Sequence, residues 1–494
     1  MPVYYLEIIV VALGLVVLMV DAFVKLEDKR SLAWIGILGL AVVFALLFKV
    51  EWPASTEGAF WRFYSSGDSL ALFFKGIAVL TTLIVLVMAI DYSPIILKQI
   101  ANPEPGAHPQ AGLGECFALP LFACAGLMWM ASANNLVSIF VSLETVTIAF
   151  YIMVAYLRRN VGSLEAGVKY LILGALSTGF LVYGFAWLFG ITGSMQLSEI
   201  ATALANPELN PTVALFAFAL ILVGLAFKIG ATPFHLWIPD VYQGAPTPIT
   251  AFLSVGSKAA GFIITLRLLA PFLGSPALFE KVVLILTVLA VLTLLVGNLA
   301  ALPQKNFKRL LAYSSIAHAG FLVMALACSP HETGGEITLS PDTVIAFYLG
   351  AYLLMTLLAF LVMTTLRTTI PGEERDSYRG LAKRSPFLAF ALLISMASLA
   401  GVPLTAGFFG KFFVFALAVE SQQWTLLVFG LIGAAAGFYY YLKIAVSMYL
   451  SDPPQDSDAA PISITPLTRI TLLALIVLIL LAGVHPGVIL GLIG

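Results

Sequence analysis

Apolar residues fill runs of about twenty positions along the whole chain, broken by short polar connections and without sustained apolar/polar alternation. A helix crosses the hydrocarbon of a bilayer in about 20 residues. Windows of that size predict spans near 3–24, 31–50, 70–91, 113–131, 134–157, 164–190, 212–242, 247–271, 280–301, 306–328, 341–368, 386–420, 424–450 and 467–491, fourteen in all. A membrane barrel would instead show short strands alternating lipid-facing and lumen-facing residues. The pattern therefore predicts an all-α polytopic membrane protein, each segment satisfying its own backbone polar groups.

Two of these spans are too long for a simple crossing. The seventh contains "KIGATPFHLW" with Gly230 and Pro233, and the twelfth contains "SLAGVPLTAGFFGKFF" with Gly401, Pro403, Gly407 and Gly410. Proline removes a helical hydrogen bond and clashes with the preceding turn, so both are expected to be discontinuous. Pro233 and Pro403 lie 170 residues apart, and weaker echoes share a similar offset: "AGFIITLRL" with "AGFYYYLKI", and "IAFYIMVA" with "IAHAGFLVMA". If helices 4–8 (residues 113–271) and 9–13 (residues 280–450) are the repeats, each has an odd number of crossings and the second copy is inverted. Residues 1–112 then form three preceding helices and residues 451–494 a final one. Inverted repeats with paired broken helices are the architecture of ion and solute transporters, whose sites lie near the breaks.

Composition sharpens this picture. Of 494 residues, 61% are hydrophobic and only 10% charged, too few charges to solvate a soluble domain of this size. Loops on one side carry Lys25, Lys29, Arg30, Lys98, Arg158, Arg159, Lys305, Lys308, Arg309, Arg367, Arg375, Arg379, Lys383 and Arg384; the other side offers Lys49, Arg62 and Lys281. The positive-inside rule places the first set in the cytoplasm and both termini outside. The first run has no basic start and carries Glu7 and Asp21, so no cleavable signal is predicted. The longest polar connections, near 92–112, 191–211 and 369–385, are too short for a large soluble domain. Cys116, Cys124 and Cys328 lack metal-ligand spacing, and neither a nucleotide fingerprint nor a nucleophile elbow is present. Any chemistry lies within the membrane.

The exceptional residues are the charges inside the spans. Glu144 ("FVSLETVTIAF") falls near the middle of span 5, Lys228 just before the first break, Lys258 ("VGSKAAGF") in span 8, and Lys411 just after the second break. An ion at the bilayer centre costs at least about 2.5–3.5 kcal/mol on insertion scales, so such a series marks a conduction path. Lys169 and Lys443 can instead reach a membrane face, and Arg267 reads as an interfacial anchor. His235 and His318 stand between two readings, relay and hydrogen-bonded packing. Lysines outnumber carboxylates in the centre, which disfavours a stored metal cation needing clustered oxygens. A lysine whose burial and carboxylate contact vary can load and release a proton. The expected cargo is H⁺.

At this point the chain resembles a known family. The stretches "PFHLWIPDVYQGAPTPIT" (233–250), "KRLLAYSSIAHAGF" (308–321), "SLAGVPLTAGFFGKF" (398–412) and "YYYLKIAVSMYL" (439–450) are similar to the antiporter-like membrane-arm subunits of proton-pumping NADH:quinone oxidoreductase (respiratory complex I), and among these to the subunit N family. The resemblance covers nearly the whole chain. It implies fourteen helices with two inverted five-helix repeats and broken helices 7 and 12. It further implies that Glu144 pairs with Lys228, that Lys169 accompanies this pair, that Lys258 connects the halves and Lys411 terminates the line, with His235 and His318 along the hydrated axis. Sister subunit M carries glutamate where Lys411 stands and subunit L has a long lateral helix at its end, so Lys411 and the short segment after span 14 favour N. The resemblance implies no cofactor in this chain, with NADH, FMN, iron–sulfur clusters and quinone handled by other subunits. The implied partners are subunit M, the small subunits K and J and the lipid bilayer, with no nucleic acid, and the implied location is the cell inner or plasma membrane.

Three other readings compete. An Mrp-type cation/proton antiporter subunit shares the helix breaks, though the "HLWIPDVYQGAP" wording and short C-terminal segment argue against it. A non-conducting scaffold subunit would make the buried charges dispensable. A stand-alone solute transporter would need more orienting polar groups at the midplane.

Overall fold

The computed structural model describes residues 2–50, 69–100, 108–328, 340–370, 372–453 and 462–493, and among these every apolar run is helical. The leading helices are α1 (Tyr5–Phe23), α2 (Ser31–Leu47) and α3 (Ser69–Gln99). Next come α4 (Leu113–Ser132), α5 (Leu136–Val154), α6 (Val161–Thr192), the short amphipathic α7 (Leu197–Leu204), α8 (Pro211–Ile229), α9 (Trp237–Gly244), α10 (Thr247–Phe252) and α11 (Lys258–Leu273). They are followed by α12 (Phe279–Ala301), α13 (Phe307–Ala327), α14 (Pro341–Arg367), the single turn α15 (Leu381–Arg384), α16 (Pro386–Ala400), α17 (Ala406–Glu420) and α18 (Trp424–Leu450). Helices α19 (Pro466–Val484) and α20 (Gly487–Ile493) complete the described chain.

Local chemistry sets many of the boundaries. Asn135, Asn160, Asn210 and Asn306 begin α5, α6, α8 and α13 by accepting from the backbone N–H groups of Val137, Gly162, Thr212 and Arg309. Each cap satisfies a donor that the first turn leaves without a partner. Proline occupies the first turn of α8, α14, α16 and α19, where its missing N–H costs nothing.

Among the described residues, twelve helices are long and apolar enough to cross a membrane, α10 and α11 counting as one; α2 and α16 are apolar but shorter. Burial ranks them. The apolar windows of α10–α11, α13 and α14 are 94% buried, whereas those of α1, α6, α18 and α19 are 28–39% buried. The former make the centre and the latter the rim, where exposed Leu, Ile, Val and Phe side chains suit lipid or neighbouring helices. Lys258 and His318 therefore stand on the most enclosed elements of the fold.

The connections differ from the sequence reading. Helix α3 carries the chain through Pro94 to Gln99, so the polar stretch from residue 92 is helical at first. Part of the 92–112 connection, and Arg62, lie outside the described residues. Residues 191–211 contain α7, and the 369–385 connection contains a 3₁₀ turn (Arg375–Tyr378) and α15. Two features carried no sequence signal. A π-helical turn at Leu253–Ser257 sits immediately before Lys258, in a class of bulge common at functional sites. A buried ion pair joins Lys75 of α3 to Glu7 of α1; its lysine is fully enclosed, and its partners are 68 residues apart in sequence.

Candidate functional site

Both expected breaks are present, and both are built alike. Helix α8 stops at Gly230 (φ 78°) and α16 at Gly401 (φ 87°), each in the left-handed conformation that glycine adopts without a Cβ penalty. The residue after each glycine bonds back over the end: Ala231 N–H donates to Ala226 O at 2.8 Å, and Val402 N–H to Ala397 O at 3.0 Å. These are matching Schellman closures, and the chain resumes as α9 and α17. Trp237 Nε1 reaches back across the first break to Phe227 O at 3.0 Å, and Thr293 Oγ1 accepts from Thr232 N–H at 3.0 Å. At the second break Ser398 Oγ accepts from Gly407 N–H at 3.1 Å. A methyl on Gly407 would stand 1.9 Å from Ser398 O, so only glycine fits there.

Lys228 lies in the last turn of α8 and donates to Thr147 Oγ1 on α5, one turn from Glu144. Glu144 itself accepts from Thr178 Oγ1 of α6 at 2.9 Å, and among the described residues no ion pair joins it to Lys228. The two groups thus meet the middle of α5 one turn apart, with threonine hydroxyls as their immediate partners. A cavity of 10 Å³, near the lower limit for one water, borders Lys228, Thr147, Ser257 and Gly261. It touches both Lys228 at the first break and Ser257, the last residue of the π turn before Lys258.

Lys258 is buried, donates to Ser315 O of α13 and stands 5.6 Å from the centre of the Tyr352 ring. Ser315 Oγ lies 3.2 Å from Tyr242 OH. Three residues further along α13, His318 is 2% exposed and bonded at both ring nitrogens, to Tyr348 OH at 2.7 Å and to Tyr441 OH at 3.1 Å. Beyond it, Lys411 donates to Leu399 O at 3.0 Å and Ala400 O at 2.8 Å, and faces Phe321 at 5.4 Å. Those carbonyls end α16 and have no intrahelical partner, so the ammonium sits on the negative end of a helix. A methyl on Gly401 would come within 3.0 Å of the Lys411 Cδ, so the break is shaped around this side chain. Among the described residues no carboxylate pairs with Lys258 or Lys411, and no ion pair fixes the charge of either.

The remaining sequence-predicted residues fall elsewhere. His235, in the turn between α8 and α9, is buried, and its Nδ1 has no hydrogen-bond partner among the described residues. Lys169 stands apart from Glu144 and Lys228. It pairs with Glu165 at 2.7 Å and with Asp240 at 2.8 Å, its side chain 43% exposed. Asp240 also binds Arg309 at 2.8 Å, while Lys308 caps the α9 end through Gln243 O and Ala245 O and pairs with Glu373 at 3.0 Å. These groups line a 440 Å³ polar cavity on the side of the basic loops. Arg267 donates to Ala131 O at the end of α4 (2.8 Å), and Lys443 rests over the Tyr439 ring (5.8 Å).

Sequence reasoning missed Asp240, Tyr242, Ser315, Tyr348 and Tyr441. Asp240 could have been found, since it is the one acid in "PFHLWIPDVYQGAPTPIT"; tyrosines and serines in apolar helices are too common to stand out. Among the described residues no group of three or more His, Cys, Asp or Glu could hold a metal ion.

Comparison with known proteins fits this geometry. The family described as "NADH:quinone oxidoreductase/Mrp antiporter, TM" matches residues 133–437, which span both breaks. A Trichlorobacter lovleyi protein named "NADH-quinone oxidoreductase subunit N" is 39% identical over 454 residues, covering 92% of this chain and 88% of the relative. A chain of respiratory complex I from Thermus thermophilus superposes with a TM-score of 0.77 at 32% identity, covering 98% of each chain. A chain of the Mrp complex from Dietzia shares the fold, with a TM-score of 0.78 at 20% identity over 99% of this chain and 96% of that one.

Proposed function

The chain belongs to the NADH:quinone oxidoreductase/Mrp antiporter membrane family, within its subunit N branch, a multi-pass, proton-translocating membrane-arm subunit of an oxidoreductase complex, and from that premise we propose that its protons travel along the line Glu144, Lys228, Lys258, His318 and Lys411. The observation that carries this reading is the continuity of the line. It starts at the first break, passes the π turn and the most enclosed helices, and ends at Lys411 on the last carbonyls of α16 at the second break.

The proposed cycle uses each group in turn. Quinone reduction elsewhere in the complex shifts charge along the membrane arm. Glu144 and Lys228 approach or part through the threonines between them, and the proton affinity of Lys228 changes with that distance. A proton then moves by way of the small cavity to Lys258, and through the His318 region to Lys411. Displacement of Lys411 from the Leu399 and Ala400 carbonyls releases it outward. His235, whose buried Nδ1 has no partner among the described residues, supports a hydrated passage at the first break. The Lys169–Asp240–Arg309 cavity supports a water-accessible mouth on the cytoplasmic side.

The finer architecture belongs to the same proposal. Fourteen crossings follow if α2 and α16–α17 cross as well. The pairings α4 on α5, α6 on α8 and α6 on α9 recur as α12 on α13, α14 on α16 and α14 on α17, which supports two five-helix repeats related by inversion. The basic loops then face the cytoplasm and both termini the outside of a cell inner or plasma membrane. Glu144 is only partly covered, on an α5 face whose Val141, Thr145 and Ile148 are exposed. A carboxylate at that depth is unsuited to lipid, which supports a neighbouring membrane-arm subunit there, K or J, with M against the opposite end. Flavin, iron–sulfur clusters and quinone are proposed to reside in other subunits.

An affinity tag on this chain tests the assembly. Mild detergent extraction should bring down flavin, iron–sulfur clusters and NADH:quinone activity in fixed proportion to the chain. Recovery with antiporter subunits that carry no redox centre would establish the Mrp alternative instead.

A further inference from the structure

Lys258 and Lys411, with which no carboxylate among the described residues pairs, are joined by a cluster that the charge line alone does not explain. His318 stands between Lys258 and Lys411 with a phenol hydroxyl on each ring nitrogen: Tyr348 OH at Nδ1 (2.7 Å) and Tyr441 OH at Nε2 (3.1 Å). Tyr441 OH is held in turn by Ser314 Oγ, one turn before His318 on α13. Tyr352, a turn from Tyr348 on α14, packs on the imidazole at 5.0 Å and lies beneath Lys258. Phe321 stacks near Tyr348 (28° between planes) and lies beneath Lys411. Gly410, beside Lys411, keeps Tyr348 close, since a methyl there would meet its ring at 3.2 Å.

We propose that Tyr348 and Tyr441 clamp His318 edge-on and carry protons to and from its ring, making it a two-sided proton exchanger between Lys258 and Lys411. A neutral imidazole donates from one nitrogen and accepts at the other, and a phenol hydroxyl can do either. A proton accepted at one nitrogen through its hydroxyl partner is matched by one lost from the other nitrogen to the second hydroxyl, which passes its own proton onward. The imidazole ends in its other tautomer, and a ring flip with rotation of both hydroxyls resets it for the next proton. Three helices contribute: α13 the imidazole, α14 one phenol and α18 the other. A shift among them lengthens one bond and shortens the other, which gives direction. Both phenols are buried, so neither hydroxyl has bulk water as a substitute.

This inference rests on the proton line proposed above, and the test separates the two. Tyr348→Phe, Tyr441→Phe and the double variant keep the rings and delete the hydroxyls. Tyr440→Phe is the control, a neighbouring buried phenol whose hydroxyl bonds Asn298 Oδ1 at 3.3 Å and not His318. Each assembled complex is placed in vesicles and followed for proton uptake per NADH oxidised, its pH profile and the KM for quinone. Loss of proton exchange through His318 should lower uptake in the double variant about tenfold or more, flatten its pH profile and leave the quinone KM unchanged, with the Tyr440 variant near the parent. Parental uptake in the double variant, with Lys411→Met impaired in the same vesicles, would overturn the clamp and leave the line standing. Parental uptake in Lys411→Met as well would remove both.

Discussion

Complex carrying Lys411→Arg is expected to assemble in full and to lose most of its coupled proton translocation, and Lys411→Met is expected to do the same. The two substitutions separate a proton carrier from a fixed charge. Arginine keeps the cation and can still cap the Leu399 and Ala400 carbonyls, but its guanidinium does not release a proton at any working pH. Methionine keeps much of the length and packing against Phe321 and removes the charge. A structural cation at the end of α16 would be served by arginine and lost with methionine. A carrier fails with both, by about tenfold or more, which corresponds to only about 1.4 kcal/mol on the limiting barrier. The measurement is substrate-driven proton uptake in vesicles, normalised to assembled complex; near-parental uptake with arginine would make Lys411 a fixed capping charge.

The second large effect is expected at the first break. Lys228→Ala or Glu144→Ala should cut quinone-linked turnover by about tenfold or more, since either change leaves the remaining group without its electrostatic counterpart in the membrane. The structure adds a condition. Because Lys228 donates to Thr147 and Glu144 accepts from Thr178, the pair is held apart by hydroxyls. Thr147→Val, which keeps the shape and deletes the acceptor, should therefore change turnover less than loss of either charge, yet measurably. Steady-state NADH:quinone activity and uptake on the same preparations decide it. Parental values for both alanine variants would reduce Glu144 and Lys228 to structural charges.

Much of this was legible in the chain, for physical reasons that differ by feature. The bilayer imposes a length on every crossing, so the twelve membrane-length helices of the described residues could be read from apolar runs alone. The breaks were legible because glycine and proline act through the backbone, as Gly230 and Gly401 do in matching left-handed closures. Glu144, Lys258 and Lys411 were conspicuous because charge in an apolar helix is costly wherever the helix packs. Partners were not legible, since they depend on how helices pack. Lys169, which the sequence allows to reach a membrane face, stands near the start of α6 and reaches Asp240 and the polar cavity on the side of the basic loops, partners that its own stretch does not reveal. The Glu7–Lys75 pair stayed hidden because its members sit on different helices, neither surrounded by other polar residues. Tyr348, Tyr441 and Ser315 matter through contact with His318 or Lys258, and nothing in their own sequence surroundings marks them. The π turn before Lys258 depends on backbone hydrogen bonding that no residue in "LSVGS" dictates.

The central claim is that protons cross the membrane through this chain along Lys258 between the two breaks. It is tested most directly by the number of protons translocated per NADH oxidised in vesicles containing intact complex with Lys258→Met, compared with the parent complex in the same preparation. The account predicts a lower ratio at whatever electron-transfer rate survives, because the proposed path is cut while electron transfer is proposed to run in other subunits. An unchanged ratio, at any rate of turnover, would contradict it.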